Sequence, residues 1–267
     1  MDTLLFDRVG NVATAGRSIS ELERMPETSV SFTQGSLVVN EYGNSIPWSG
    51  KLEELSEFDV ENIWLRVLRD DAAKTLDKQV AAQFASTQLV YTPTGTDASP
   101  TSTWSTTGSL SNVATRNVST YDVKEVVDNM KSPYLVPFYD GENYMAIVSV
   151  KHGRRIKDDP DFEDAVKYGD PERLFTGEIG RYYGVRFVEE TNYFANTFTN
   201  GTAYNGPAVY FGADPGVEGI VVPLEIRAKI PTDYGRDKGL AWYFLGGWQI
   251  TFSTSNYGEV KIVYVQG

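Results

Sequence analysis

Cysteine is absent from this chain of 267 residues, and its absence narrows the chemistry that the chain can perform. A chain without cysteine has no disulfide framework, no cysteine nucleophile and no thiolate metal site. The absence also fits a protein that is made in a reducing cytoplasm.

Histidine is almost absent as well, since His152 is the only one. No GxSxG or HExxH motif occurs in the sequence, so no nucleophile or metal partner for this histidine is indicated. Its position directly after a strongly apolar segment favours a structural or surface role over that of a general base.

Positive charge is scarce: the chain has 24 Lys and Arg residues and 36 Asp and Glu residues, which gives a net charge of −12. Such a chain is a poor candidate for wrapping nucleic acid, where cations must neutralise phosphates. Apolar runs of the ~20 residues that cross a bilayer are missing too. The first residues, MDTLLFDRVGN, lack the basic start and apolar core of a signal peptide, so we expect no membrane partner.

One long segment dominates what is present, from Asp59 to Ser86, which contains neither glycine nor proline. Its residues are mostly good helix formers, and a helix of this length would run about 42 Å. Apolar residues recur at steps of about four from Val60 to Phe84, with Ile63 and Val67 widening the stripe. Because each step drifts about 40° around the axis, different neighbours must contact the helix along its length. We therefore predict a central spine helix.

Strand patterns surround this helix, and a second helix is predicted at Ser119–Ser132, where Ser119 and Asp122 form a capping pair and Pro133 ends the helix. Alternating or fully apolar segments predict the strands. The predicted strands are Thr28–Thr33, Ser36–Tyr42, Gln88–Thr92, Tyr134–Phe138, Tyr144–Val150, Gly184–Glu190, Ala208–Gly212, Ile220–Lys229, Leu240–Ser255 and Glu259–Val265. Gln34-Gly35 is predicted to form a tight turn, and Gly246-Gly247 to mark a turn or bulge.

A segment rich in serine and threonine, Thr92–Asn112, is predicted to be a long surface loop. Loops of this size commonly carry function. Trp104 inside the segment indicates that part of it docks on another surface.

Acidic residues are densest at Asp158–Asp164, where a metal site and helix capping are both conceivable. Asp159-Pro160 and Asp170-Pro171 each place an N-cap acid before a proline at the first helical position. The remaining acids fall in a first helical turn, where they suit the helix dipole. Capping is the favoured interpretation, and no metal or other cofactor is expected.

Arg154 and Arg155, with Lys157, form a small basic patch that could meet phosphate or an acidic partner surface. The acids that follow also allow a simpler interpretation, a solvated stretch whose charges compensate one another. The sixteen Tyr and five Trp residues leave similar alternatives open, because aromatic residues are enriched both in sugar-binding β-domains and at subunit interfaces. A hydrolase that uses scattered acids is a third alternative without a supporting motif.

Within residues 152–191, a more specific pattern runs from Lys157 to Thr191, KDDPDFEDAVKYGDPERLFTGEIGRYYGVRFVEET. This block closely resembles the major capsid proteins of tailed bacteriophages of the N4-like coat family. Upstream, NEYGNSIPWSGKLEELSEFDVENIWLRVLRDDAAKTLDKQVAAQF resembles the strand that returns from the family's extended loop into its spine helix. The C-terminal LAWYFLGGWQITFSTSNYGEVKIVYV is similar to its closing strands, and the likeness covers residues 18–267.

The resemblance implies an α+β fold of the Hong Kong 97-like type, with an extended loop, a long spine helix, a peripheral domain and an axial domain. The implied divisions are an N-terminal segment with the extended loop (1–50), the peripheral domain with the spine helix (51–91), the axial domain (92–213) and closing strands that return to the peripheral domain (214–267). One departure is that only about 27 residues precede the first clear strand, so the outgoing strand of the loop is expected to be missing.

The function implied by the resemblance is that of a structural, non-catalytic subunit of the virion. Copies would assemble in the cytoplasm of the host bacterium into hexamers and pentamers of an icosahedral head around double-stranded DNA. Portal, scaffolding and cement or decoration proteins are the further partners implied. A β-rich carbohydrate-binding or tail-associated module is the alternative. The candidate residues for subunit interfaces are Arg17, Glu21, Glu23, Arg24, Trp104, Arg154 and Arg155.

Overall fold

The computed structural model describes residues 2–9, 16–30, 32–110, 112–167, 178–192, 206–252 and 259–266. The helices in these ranges are α1 (Gly50–Leu55), α2 (Val60–Ala85), α3 (Thr120–Lys131), α4 (Val150–Lys157) and α5 (Pro160–Lys167). The strands are β1 (Thr3–Val9), β2 (Phe32–Val38), β3 (Asn40–Ser49), β4 (Val90–Thr96), β5 (Ser99–Ser105), β6 (Tyr144–Ser149), β7 (Glu178–Tyr182), β8 (Val185–Glu190), β9 (Ala208–Phe211), β10 (Gly216–Ala228), β11 (Asp237–Ile250) and β12 (Ile262–Val265).

The strands form three sheets. A mixed sheet of seven strands has the order β5-β4-β12-β9-β6-β8-β7, and a sheet of three strands has the order β10-β11-β3. The antiparallel pair β1-β2 makes a separate ribbon. The last strand, β12, lies between β4 and β9, so the chain ends in the seven-stranded sheet.

The seven-stranded sheet has a core on each face, because successive side chains of a strand point to opposite sides. In β9, Ala208 and Tyr210 belong to the core that includes α3 and α4, whereas Val209 and Phe211 belong to the core on the other face. β6 divides in the same way, which confirms the prediction that this strand is covered on both sides.

The predicted spine helix is confirmed as α2, which begins after the N-cap Asp59 and ends at Ala85. Leu68 and Ala72 pack with Trp242 against the three-stranded sheet, and Phe84 packs on the seven-stranded sheet. The helix thus contacts different neighbours along its length, as the drift of its stripe predicted. Among the described helices, none combines the length and the apolar character that crossing a bilayer requires.

Two residues assigned to the buried stripe of the spine helix were placed wrongly. Ile63 and Val67 are about half exposed, and Leu65 packs toward the three-stranded sheet instead. The sheet covers only one side of this end of α2, so a widened stripe cannot be buried within the subunit.

The predicted turn at Gln34-Gly35 is wrong, because β2 runs through both residues and pairs with β1. β1 was not predicted: Thr3–Val9 is a strand within the first 27 residues, where the sequence indicated no clear strand. Its short apolar run, Leu4 to Phe6, is too brief to distinguish from an irregular segment by periodicity.

The serine- and threonine-rich segment is a hairpin rather than a long loop. β4 continues to Thr96, and β5 returns antiparallel to it from Ser99. Threonine is β-branched and favours strands, and this preference outweighs the polar composition. Only the later part of the segment lacks regular structure among its described residues.

Residues 134–138 do not form the predicted strand. The backbone N–H of Tyr134 donates to the carbonyl of Asn129, and that of Val136 donates to the carbonyl of Met130. These carbonyls belong to the last turn of α3. The segment therefore donates hydrogen bonds to the C-terminal carbonyls of the helix instead of pairing in a sheet. By contrast, α4 was not predicted, since Val150 and Ile156 are its only large apolar residues.

We expect Leu68→Ala to lower the free energy of unfolding by about 2–5 kcal/mol, because it leaves a cavity between α2 and the three-stranded sheet. Leu68 is fully buried, whereas the neighbouring Val67 is about half exposed. Val67→Ala on the same helix is the matched control and should change stability much less. Urea unfolding of the isolated subunit measures both, and equal effects would contradict the described helix orientation.

Candidate functional site

The root of the β1-β2 ribbon is fixed on the three-stranded sheet by close packing. Leu37 is buried, and together with Leu4 it lies against Gly219 of β10. A side chain at Gly247 of β11 would collide with the carbonyl oxygen of Val38. Gly246-Gly247 therefore does not mark a turn; it lies within β11 and allows the ribbon to approach the strand closely. The alternative prediction, a bulge, agrees with the register shift of β10 between Ile220 and Val222, opposite Gly246.

The other face of the ribbon exposes apolar side chains. Val9 and Phe32 are direct partners in the ribbon, and they are 57% and 73% exposed. Leu5, on the same face, is also largely exposed. Because no described segment of the chain covers this face, it is a candidate contact surface.

The charged residues of segment 16–30 pair with one another. Arg17 lies 2.5 Å from Glu23, and Arg24 lies 2.6 Å from Glu27. Glu21 is exposed on the same segment. Exposed ion pairs of this kind contribute only about 0–1 kcal/mol, so they could be exchanged for other partners at little cost. The role of Arg17, Glu21, Glu23 and Arg24 at an interface stays a prediction.

A second exposed apolar surface lies on α1, the following linker and the outer side of α2. Its members are large side chains that are each close to half exposed or more: Leu52, Leu55, Phe58, Ile63 and Val67. β10 at the edge of the three-stranded sheet adds a third group of exposed apolar side chains: Ile220, Val221, Leu224 and Ile226. Soluble monomers rarely expose so many large apolar residues close together, so these surfaces indicate contacts with other molecules.

Trp104 already has partners inside the subunit. Its ring packs edge-on against Tyr91, with 4.9 Å between centroids, and its Nε1 donates to Glu125 at 3.4 Å. The expectation that Trp104 docks part of the Ser/Thr-rich segment is thus met within its own chain. A role for it at an interface stays a prediction.

Beneath Trp104 lies a buried ion pair that the sequence did not reveal. Arg116 donates to both carboxylate oxygens of Asp122, at 2.7 and 2.5 Å, and both side chains are only 2% exposed. The hydroxyl of Tyr91 donates to the same carboxylate. Burial, and then the neighbouring Asp122 charge, raise the pKa of Tyr91, so this hydroxyl remains a donor. The network ties β4 to the start of α3.

The capping pair at the start of α3 is confirmed, because Ser119 and Asp122 form a reciprocal capping box. The backbone N–H of Ser119 donates to Asp122 at 2.8 Å. A single carboxylate thus serves the helix cap and the buried ion pair, a combination that sequence spacing alone cannot show.

The acidic segment serves helix capping, as the sequence favoured. One oxygen of Asp159 accepts from the backbone N–H of Thr120 at 2.9 Å, and the other accepts from the backbone N–H of Asp161 at 3.0 Å. Asp159 therefore accepts hydrogen bonds from otherwise unpaired backbone N–H groups in the first turns of both α3 and α5. Among the residues that the structure describes, no three acidic or imidazole side chains gather to hold a metal ion. The second expected cap, Asp170-Pro171, lies outside the described residues.

His152 is fully buried and has a structural position. Its Nδ1 lies 3.1 Å from the carbonyl oxygen of Gly206, and its Nε2 lies 3.1 Å from the hydroxyl of Tyr210. Burial lowers the pKa of His152 to about 4, although the Gly206 carbonyl acts in the opposite direction. The neutral ring connects α4 to β9.

We expect acid to destabilise the subunit through His152. Its pKa is about 4 in the fold and 6.5 in a free side chain, so the unfolded chain binds a proton more readily. The stability that the neutral His152 ring contributes to the fold is complete above pH 6.5 and is lost as the pH falls toward 4. One pKa unit corresponds to about 1.4 kcal/mol, so the loss should approach about 3 kcal/mol.

Unfolding of the wild-type subunit and of His152→Gln between pH 7 and pH 4.5 tests this expectation. The difference in stability between the two chains should shrink as the pH falls, because only the wild type carries the titrating ring. A difference that does not change with pH would contradict it.

Arg154 and Arg155 lie on the exposed side of α4. Arg154 is 79% exposed and lies 3.6 Å from Asp158, one helical turn away. Both arginines are therefore accessible to a partner, and their role at an interface stays a prediction.

Comparison with known proteins decides the family. The family model described as phage capsid protein matches residues 35–248, which is most of the chain. The chain belongs to the phage capsid protein family. No protein with curated annotation matches the sequence of this capsid protein.

Solved structures of phage capsids share its fold. The capsid of Ralstonia phage GP4 aligns with a TM-score of 0.69 at 14% identity, over 100% of this capsid protein and 84% of that chain. The cyanophage Pam1 capsid gives 0.67 at 14% identity, over 100% and 85%. The acid-stable capsid of Helicobacter pylori bacteriophage KHP30 gives 0.68 at 10% identity, over 99% and 83%.

The mixed α and β architecture of this capsid protein is therefore the Hong Kong 97-like fold of tailed-phage capsids, as the sequence predicted. The prediction of a phage capsid protein is confirmed. Its assignment to the N4-like branch and the roles of its domains stay predictions.

Proposed function

We propose that this capsid protein is the major capsid protein of its phage, and that its copies form the hexamers and pentamers of a closed head around packaged double-stranded DNA. The match of the family model to residues 35–248 carries this proposal. The subunit would assemble in the cytoplasm of the host bacterium and act as a structural component without catalysis.

The exposed apolar side chains support a subunit that is completed by neighbours. Val9 and Phe32 of the ribbon and the apolar groups on α1, α2 and β10 are substantially exposed in the described part of the chain. Contacts with other copies would bury such surfaces.

We assign the domains by the sheets to which the elements belong. The three-stranded sheet with α1 and α2 corresponds to the peripheral domain, and the seven-stranded sheet with α3, α4 and α5 to the axial domain. β10 and β11 return to the peripheral domain, whereas β12 joins the axial sheet.

The β1-β2 ribbon with segment 16–30 corresponds, in this proposal, to the extended loop that reaches an adjacent subunit. The exposed Val9 and Phe32 give it an apolar contact face, and its loosely paired charges can exchange partners.

The net charge of −12 suits a shell whose inner face does not hold DNA tightly, because packaging requires the DNA to slide. Portal, scaffolding and cement or decoration proteins are the further partners that this function implies.

Sedimentation of the purified protein, expressed alone, tests the proposed function. A major capsid protein should give large, homogeneous particles, and the fraction of particles should depend on salt because charged surfaces meet. A protein that remains a monomer or trimer at all salt concentrations would favour a tail-associated or carbohydrate-binding module instead.

A further inference from the structure

The exposed face of α4 is strongly cationic in an otherwise acidic chain. His152, Gly153 and Ile156 are buried against the sheet, and the exposed positions include four cations: Lys151, Arg154, Arg155 and Lys157. Positions 151, 154 and 155 fall on one face because they are three and four residues apart. We call these four residues the basic face.

The ion pairs of Arg154 and Lys157 within the subunit are weak. Arg154 lies 3.6 Å from Asp158, with both side chains more than half exposed, and Lys157 lies 3.8 Å from Glu189. These distances exceed those of charge-assisted hydrogen bonds, about 2.7–2.9 Å. Arg154 and Lys157 are therefore held loosely and can meet an anionic partner without breaking strong bonds.

An acidic surface follows directly on α5. Asp161, Glu163 and Asp164 are exposed. The contact of Asp161 with Lys124 is also long, at 3.4 Å. We call these three residues the acidic face. Asp159 is not part of it, because its carboxylate is used by the caps of α3 and α5.

We propose that the basic face of one copy docks on the acidic face of the next copy around a capsomer. The inference rests on the proposed function and specifies one of its contacts. Two neighbouring surfaces of opposite charge on a single chain complement each other head to tail, and a head-to-tail contact closes into a ring when the rotation permits. A second copy is favoured over nucleic acid, because the acids of α5 lie beside the basic face and would repel phosphates.

Two charge-reversed chains test the contact. Arg154→Glu/Arg155→Glu makes both faces acidic, and Asp161→Lys/Glu163→Lys makes both faces basic. Each chain alone should fold, with a melting midpoint near that of the wild type, but should lose most of its shell yield. Lys74→Glu/Lys78→Glu on the exposed side of α2 is the matched control, because it changes the net charge by the same amount as the first variant.

Mixing the two reversed chains gives the decisive result. In a ring where the two chains alternate, the α4 surface of each copy meets an α5 surface of opposite charge on the next copy. An equimolar mixture should therefore recover hexamers. A ring of five cannot alternate, so the mixture should form flat or tubular hexamer arrays instead of closed shells. A role of these residues within one subunit could not be rescued by mixing.

Three results would overturn the inference. The first is a normal shell yield from either reversed chain alone. The second is a loss that mixing does not relieve. The third is that Arg154→Glu/Arg155→Glu assembles normally but no longer retains a short DNA duplex in a gel-shift assay, which would assign the basic face to nucleic acid. A wild-type chain that forms no particles would instead contradict the proposed function itself.

Discussion

Deletion of residues 1–27 is expected to abolish shell formation while the subunit remains folded. The deleted part contains β1 and most of the described segment 16–30. The described side chains of this part are mostly exposed, and the buried cores are built from residue 37 onward. The subunit would keep both large sheets and α2, but each copy would lose the ribbon with which it contacts a neighbour.

Circular dichroism and sedimentation of the truncated chain measure the two parts of this expectation. Val9→Thr/Phe32→Thr is a milder variant, because threonine favours strands at both positions and the change removes only the apolar contact face. It should fold normally and assemble poorly. Asp7→Thr/Gln34→Thr, another exposed partner pair on the same face, is the matched control. Native-like shells from the truncated chain would contradict the role of the ribbon, and an unfolded chain would show that residues 1–27 belong to the subunit's own core.

Asp122→Ala is expected to cost the subunit about 3–5 kcal/mol, because it removes the carboxylate charge that is paired with the buried Arg116. The backbone carbonyls that also accept from the guanidinium carry no formal charge to replace it. The guanidinium loses two hydrogen bonds, and the Tyr91 hydroxyl and the Ser119 backbone N–H each lose an acceptor. Since Arg116 is only 2% exposed, water cannot replace the carboxylate without a local opening of the structure.

Urea unfolding of the assembly-deficient truncated chain measures this effect without interference from particles. Asp128→Ala is the matched control, because Asp128 lies on α3 as well but is exposed. Asp122→Ala should lower the unfolding midpoint strongly, and Asp128→Ala should change it little. Equal midpoints for the two variants would show that the buried ion pair does not stabilise α3 on β4.

The parts of the fold that the sequence predicted well have strong local signals. The spine helix follows from a long segment without glycine or proline, and its start is fixed by Asp59, whose side chain accepts from the backbone of Asn62 at 3.2 Å. The start of α3 follows from Ser119 and Asp122. Strands β6 and β9 follow from the apolar runs that a buried sheet requires, and β8 follows from its apolar residues at Val185, Phe187 and Val188.

The parts that could not be predicted depend on contacts between distant residues. Polar composition concealed β5, because the pairing with β4 and not the content of serine and threonine decides its conformation. Tyr91 and Asp122 are far apart along the chain, so the sequence gives no sign that the Tyr91 hydroxyl donates to the Asp122 carboxylate. Ile63 and Val67 fit a buried helical stripe, but the sheet does not extend to their side of α2.

The candidate interface residues could also be predicted only in part from the sequence. Charged residues such as Arg17 and Arg24 were predicted because charge is visible in the sequence. The structure adds the apolar pair Val9 and Phe32, which is recognisable only after the ribbon register is known. For Trp104 the structure provides partners inside the subunit, which no local pattern could have indicated.

Electron microscopy of the purified full-length protein, expressed alone in bacteria, tests the central claim most directly. We predict closed, uniform shells whose surface lattice resolves into hexamers and pentamers of this chain. Fields of monomers or small oligomers, from a preparation that circular dichroism shows to be folded, would contradict it.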